Sequence, residues 1–155
     1  MSDTDEPSEG YAWGFARQEQ ELPAEEYRTH IRLLDEIDEE GLDELDLSRS
    51  DDYILWAAAQ AFEELERDED AIALLKRIAA SAARHPALCY PDILLRLGER
   101  LKERGDYDEA AEVLEQVERL EPGLRERCDE RRAEILVLRG MVGEGLKLFR
   151  EAARA

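Results

Sequence analysis

The sequence predicts an all-α protein, an α-solenoid of antiparallel helix hairpins. Three observations predict it. Alanine, leucine, glutamate and arginine dominate the 155 residues, and all four are strong helix formers. Apolar residues recur three and four apart along most of the chain, the spacing of one helix face. Small residues also fall at a nearly constant period: Ala71 to Ala110 is 39 residues, and Ala110 to Gly145 is 35. A period of this length marks stacked helix pairs, each of which needs a neighbour to bury its apolar stripe. Aromatics make up only 6% of the chain, and long β-branched runs are absent, which argues against a large sheet.

Taken in order, residues 1–22 form an acidic N-terminal tail, and its first ten residues lack an apolar anchor and are expected to be disordered. Within it, Tyr11-Ala-Trp-Gly-Phe15 is an aromatic cluster that serves either as a strap packed on the first helices or as an exposed recognition element. The repeat domain is expected over 23–155. Pro23 opens a helical pattern, with Tyr27, Ile31, Leu34 and Ile37 on one face and Gly41 placed to end it in a left-handed cap. Leu42, Leu45 and Leu47 then lie in an acidic connector that closes this divergent first segment at 50. Ser50 is the expected N-cap of a helix running from about Asp51 to Glu66.

Repeats are expected at 51–85, 91–124 and 126–155. Leu55, Ala58, Ala59 and Phe62 mark the first helix of the first pair, and Ala71, Leu75 and Ile78 its partner. In the second pair the marks are Leu94, Leu97, Gly98 and Leu101, then Ala110, Leu114 and Val117. In the third they are Arg132, Ala133 and Leu136, then Gly145, Phe149 and Ala152. Gly98 and Ala110 are expected where two helices approach closely, so that a larger side chain would part them. Gly105 and Gly140 are expected to take positive φ at helix ends.

The formal net charge is −19, and it is uneven: residues 1–52 hold 18 acidic and 4 basic side chains, residues 53–155 hold 22 and 17. Such a field opposes nucleic-acid phosphate and anionic lipid and favours basic partners, although an acidic surface also serves solubility alone. Two cysteines, Cys89 and Cys128, without a CxxC pair, fit a reducing, cytoplasmic setting. The polar, acidic start is not that of a signal peptide, and no stretch approaches the length of a membrane span. The arginine bias among basic residues points to a GC-rich bacterial genome.

Residues 91–124 resemble one tetratricopeptide repeat. Leu94, Leu97-Gly98, Leu101, Ala110, Leu114, Val117 and Pro122 occupy the places where that family carries its pattern, and Gly105-Asp-Tyr-Asp-Glu-Ala-Ala111 resembles its turn. Residues 52–85 depart from it with Ala58-Ala59 at the Leu-Gly place, and residues 126–155 with Arg132-Ala133 there and Gly145 for alanine. The resemblance implies a TPR-like superhelix that binds protein or peptide on a concave face lined by first-helix positions. Carried over residue by residue, these are Tyr53, Trp56, Gln60, Glu63 and Glu64; Asp92, Leu95, Glu99, Lys102 and Glu103; and Arg127, Glu130 and Glu134, with Val137 and Leu138 beyond. A mostly acidic or apolar set disfavours a carboxylate-terminus ligand and favours a basic or amphipathic segment. Tyr53 and Trp56 would be its aromatic anchors, unless Trp56 belongs to the core.

Signatures of chemistry are absent from the sequence. Glu26 and His30 stand four apart, but no second Glu/His pair completes a di-iron site. His85 and Cys89 flank Pro86 without further ligands nearby. Nucleotide-binding glycine loops, zinc-protease helices and hydrolase elbows do not occur. The expectation is a non-catalytic binding scaffold, without cofactor or metal, for a protein or peptide of basic or apolar character, and not for nucleic acid or membrane. A homodimerising module is the second reading, because no polar capping helix follows the last apolar face, an end that would invite either a homodimer or an omitted downstream segment. An acidic decoy for a basic protein ranks below both.

Overall fold

The computed structural model describes Arg28 and residues 32–154. The tail expected over 1–22, the Tyr11–Phe15 cluster, Pro23, Glu26, Tyr27, His30 and Ile31 lie outside the described residues, as does the side chain of Leu34. Among the described residues the elements are all helical: a π-helical turn (Arg32–Glu36) and α1 (Glu39–Asp43) precede α2 (Asp52–Glu64) and α3 (Asp68–Ala79). Then come α4 (Tyr90–Arg104), α5 (Tyr107–Leu120), a 3-10 turn (Pro122–Leu124), α6 (Arg125–Leu138) and α7 (Val142–Arg154). The chain divides into two compact units, Met1–Ile93 and Leu94–Ala155, and each is described by itself.

In the first unit, α2 packs along α3. Asp51, not Ser50, starts α2: its carboxylate accepts a hydrogen bond from the Ile54 N–H at 3.1 Å. A carboxylate there also faces the positive end of the helix dipole, which a serine hydroxyl cannot match. The core holds Leu55, Trp56, Ala58, Ala59, Phe62, Ala71, Leu75 and Ile78, all buried. Gly41 does not end a helix. It lies inside α1, its N–H bonded to the Asp38 side chain at 2.8 Å, because Asp38 caps a new helix where the old one was expected to stop. This short helix sets Leu42 into the core. Arg67 holds the connector down: it lies 2.7 Å from Asp43, 2.7 Å from Asp70 and 3.3 Å from Glu39. Its guanidinium also stacks over Phe62.

In the second unit, α6 packs on α5 and on α7. Ala110, Leu114, Val117, Cys128, Ala133 and Ala152 are buried. The expected close approach at Gly98 is not a tight one: a Cβ there would meet Leu114 at 3.6 Å, an ordinary contact. The tight place is Gly145. A Cβ on it would come within 2.6 Å of Val137 Cγ2 and 2.9 Å of the Ala133 carbonyl oxygen, so glycine lets α7 rest directly on the backbone of α6.

One turn recurs at the end of each hairpin's first helix. After α4, Gly105 has φ +92, its N–H bonds Lys102 O, and the Asp106 N–H bonds Leu101 O. After α6, Gly140 has φ +88, with the same bonds from Gly140 to Val137 and from Met141 to Leu136. This is the Schellman closure, which satisfies two orphan carbonyls. The third copy follows α2, where Glu66 bonds Glu63 and Arg67 bonds Phe62, with Glu66 at φ 59. The repeat is therefore kept in the backbone where the glycine signal is missing.

Candidate functional site

The candidate positions on α2 divide by burial. Tyr53 and Trp56 are 0% and 1% exposed, so they are core and cannot be surface anchors. The physical reason is that α2 is apolar nearly all round: from Asp52 to Phe62 only Ile54 and Gln60 are not buried. A helix of that kind is enclosed on every side. Gln60 is half-buried, with an Oε1 that is buried and accepts no hydrogen bond among the described residues. Glu63 is half-buried and Glu64 exposed. Asp92, at the start of α4, is half-buried.

The first unit also contains a polar cluster that the sequence did not point to. Asp52 is 5% exposed. It accepts a hydrogen bond from the Tyr90 hydroxyl at 2.6 Å, and the same hydroxyl oxygen accepts one from the His85 backbone N–H at 2.7 Å. The His85 ring lies against Tyr53, with centroids 5.4 Å apart, and its Nδ1 accepts from the Ala87 N–H at 3.1 Å. The Arg84 guanidinium lies over the Tyr90 ring, 4.3 Å from its centroid. Burial and the Asp52 carboxylate together hold the Tyr90 phenol well above the usual range. Together these contacts hold the 80–89 connection to α2, which is structural work.

On the second unit the structure brings together three of the candidates. Lys102 Nζ lies 3.0 Å from Glu99 and 2.7 Å from Glu134. Arg131, which the repeat pattern did not mark, closes the ring: its Nε is 2.8 Å from Glu99, and its guanidinium is 3.7 Å from Glu134. Two cations and two carboxylates thus join α4 to α6. Burial opposes the charge on Lys102, but the hydrogen bonds to Glu134 and Glu99 outweigh it and raise its pKa. Leu95 is 6% exposed and belongs to the core, since it sits on the apolar side of α4. Glu103 is exposed and pairs with Arg100 at 2.9 Å, while Arg127, Glu130 and Leu138 are exposed and Val137 is half-buried.

Arg132 stands where the repeat pattern has its leucine. It reaches Glu118 of α5 and Asp129, each at 2.8 Å, so a guanidinium bridging two carboxylates stands where the pattern has an apolar residue. No group of three or more histidine, cysteine or acidic side chains that could hold a metal ion occurs among the described residues. No helix among them is long and apolar enough to cross a membrane.

No protein-family model matches the chain, and no curated protein matches it. Among solved structures the chain is similar to the crystal structure of MamA, a protein containing tetratricopeptide repeats. The two share 24% identity and a TM-score of 0.56, over 74% of this chain and 64% of the MamA chain. The chain therefore spans less than two thirds of the length of MamA. With its sequential antiparallel helix pairs, the chain has the all-α, tetratricopeptide-like fold.

Proposed function

We propose that this chain is a non-catalytic scaffold that binds a protein or peptide on the first-helix faces of its hairpins. The observation that carries this reading is the repeated helix-hairpin fold itself, which the likeness to MamA supports. The surface of those faces favours a basic or amphipathic segment. Of the candidate positions that stay at least partly at the surface, Glu63, Glu64, Asp92, Glu99, Glu103, Glu130 and Glu134 are acidic, and Lys102 and Arg127 are basic. Recognition rests on these charged positions and the aliphatic stems beside them, because the aromatic anchors are buried.

The test is capture from native lysate followed by titration of the partner recovered. The double variant Glu103→Lys, Glu130→Lys should weaken binding at least tenfold, and wild-type affinity should fall as salt rises. A partner whose affinity ignores both changes would remove the basic character from this reading. The absence of any specific partner would remove the reading itself.

A further inference from the structure

The second unit carries an apolar surface that its own fold leaves uncovered. Leu138, Met141, Val142 and Leu146 are 55%, 42%, 48% and 44% exposed. They are contiguous across the α6–α7 turn and the first half of α7. Along α7, Val142, Leu146, half-buried Phe149 and exposed Ala153 recur at intervals of four, three and four. That is the spacing of a helix–helix seam. Gly145 and Ala152, the residues of α7 buried against the rest of the unit, form a separate line seven residues apart. The helix therefore has one apolar line used internally and a second beside it facing outward.

We propose that the outward line of α7 pairs, antiparallel, with α7 of a second copy of this chain. The seam is self-complementary. A two-fold axis between Lys147 and Leu148 sets Leu146 of one copy against Phe149 of the other, and Val142 against Ala153, as an isologous contact requires. Charge selects the same occupant. A chain of net −19 repels itself over most of its surface. Residues 125–154 do not share in the acidic excess, with 8 basic and 6 acidic side chains, and the seam itself is uncharged. Two copies meet there with little repulsion. The four exposed side chains offer roughly 350 Å2, the size of a monomer's largest apolar patch, against about 800 Å2 per partner in a standard interface. The dimer is accordingly weak and concentration-dependent. It goes beyond the binding function proposed above and uses none of its charged positions.

Sedimentation velocity on the full chain from about 1 µM to about 500 µM reads the proposal, since this range brackets a micromolar constant. The sedimentation coefficient should climb from monomer to dimer, little changed by salt. Leu146→Glu and, separately, Val142→Glu should each raise the dissociation constant tenfold or more, with circular dichroism confirming retained helix. Leu146→Ser serves if the glutamate variant unfolds. Lys147→Ala, on the far side of α7, should leave the dimer unchanged, as should the Glu103→Lys, Glu130→Lys pair that tests partner binding. A wild-type monomer throughout, a dimer as tight in Leu146→Glu, or a monomer that loses its lysate partner on Leu146→Glu would each overturn the proposal.

Discussion

Tyr90 donates its hydroxyl hydrogen to Asp52 at 2.6 Å. The pair joins the first turn of α2 to the first turn of α4 and closes the connection between them. Asp52 is buried, so its carboxylate depends on this donor. Tyr90→Phe should lower stability by roughly 1–3 kcal/mol, the cost of leaving a buried polar group without its partner. Urea denaturation of the variant checks it. The phenol is also held above its ordinary value by burial and by Asp52. A raised folded pKa means that the contribution is complete below the unfolded tyrosine value, about 10, and is lost as pH rises beyond it. Wild type should therefore lose stability on alkaline titration from there upward, and Tyr90→Phe should lose less.

The glycines separate into three kinds of position. Gly105 and Gly140 have positive φ and open space around the missing Cβ, so alanine at either should cost about 1 kcal/mol through backbone strain alone. At Gly98 an alanine fits, and helix propensity favours it by about 1 kcal/mol, so Gly98→Ala should be neutral or stabilising. At Gly145 the same propensity gain is outweighed by overlap with the Ala133 carbonyl and Val137, and the net loss should approach the roughly 1–3 kcal/mol of overpacking. Thermal melts of the four alanine variants should rank them Gly98, then Gly105 and Gly140, then Gly145.

Glu66 occupies the left-handed place of the same turn with a side chain that disfavours it. Glu66→Gly should stabilise the first unit by about 1 kcal/mol, relieving the strained φ at a helix end where glycine is the preferred residue. The midpoint of chemical unfolding should rise. A midpoint that falls would show that the glutamate makes a compensating contact.

Cys128 is fully buried, and that burial pushes its thiol above the ordinary range. The thiolate is the reactive form. Labelling with a thiol reagent at neutral pH should modify Cys128 only on the timescale of unfolding, while half-buried Cys89 reacts sooner. Mass spectrometry of the time course distinguishes the two sites.

The fold was legible because its period is written in small residues. Ala71, Ala110 and Gly145 each follow a left-handed turn residue by five places, so one regularity located both the hairpins and their turns. Gly41 misled for a local reason: a glycine after a helical pattern also suits the first turn of a new helix when an aspartate stands three residues before it. The candidate site was less legible. Tyr53 and Trp56 fell on first-helix positions that the family exposes, yet the surrounding run of alanine and leucine already marked α2 as enclosed. Arg131 carries no sequence signal because its role comes from Glu99 on another helix, and one-dimensional periodicity carries no such pairing. Arg132 shows the same limit, since its contact with Glu118 replaces the apolar packing that the pattern expects.

The resting of α7 on the backbone of α6 also bears on how the chain reaches its fold. Gly145 meets Val137 and Ala133, partners that lie just across one tight turn in the sequence. Little loop entropy has to be lost to bring them together, and contacts of low sequence separation form fastest. The α6–α7 hairpin can therefore assemble on its own timescale, ahead of pairings that wait on more distant chain. In a rapid-mixing experiment its helices would be expected among the earliest protected from solvent exchange, and the Gly145→Ala variant would be expected to delay them.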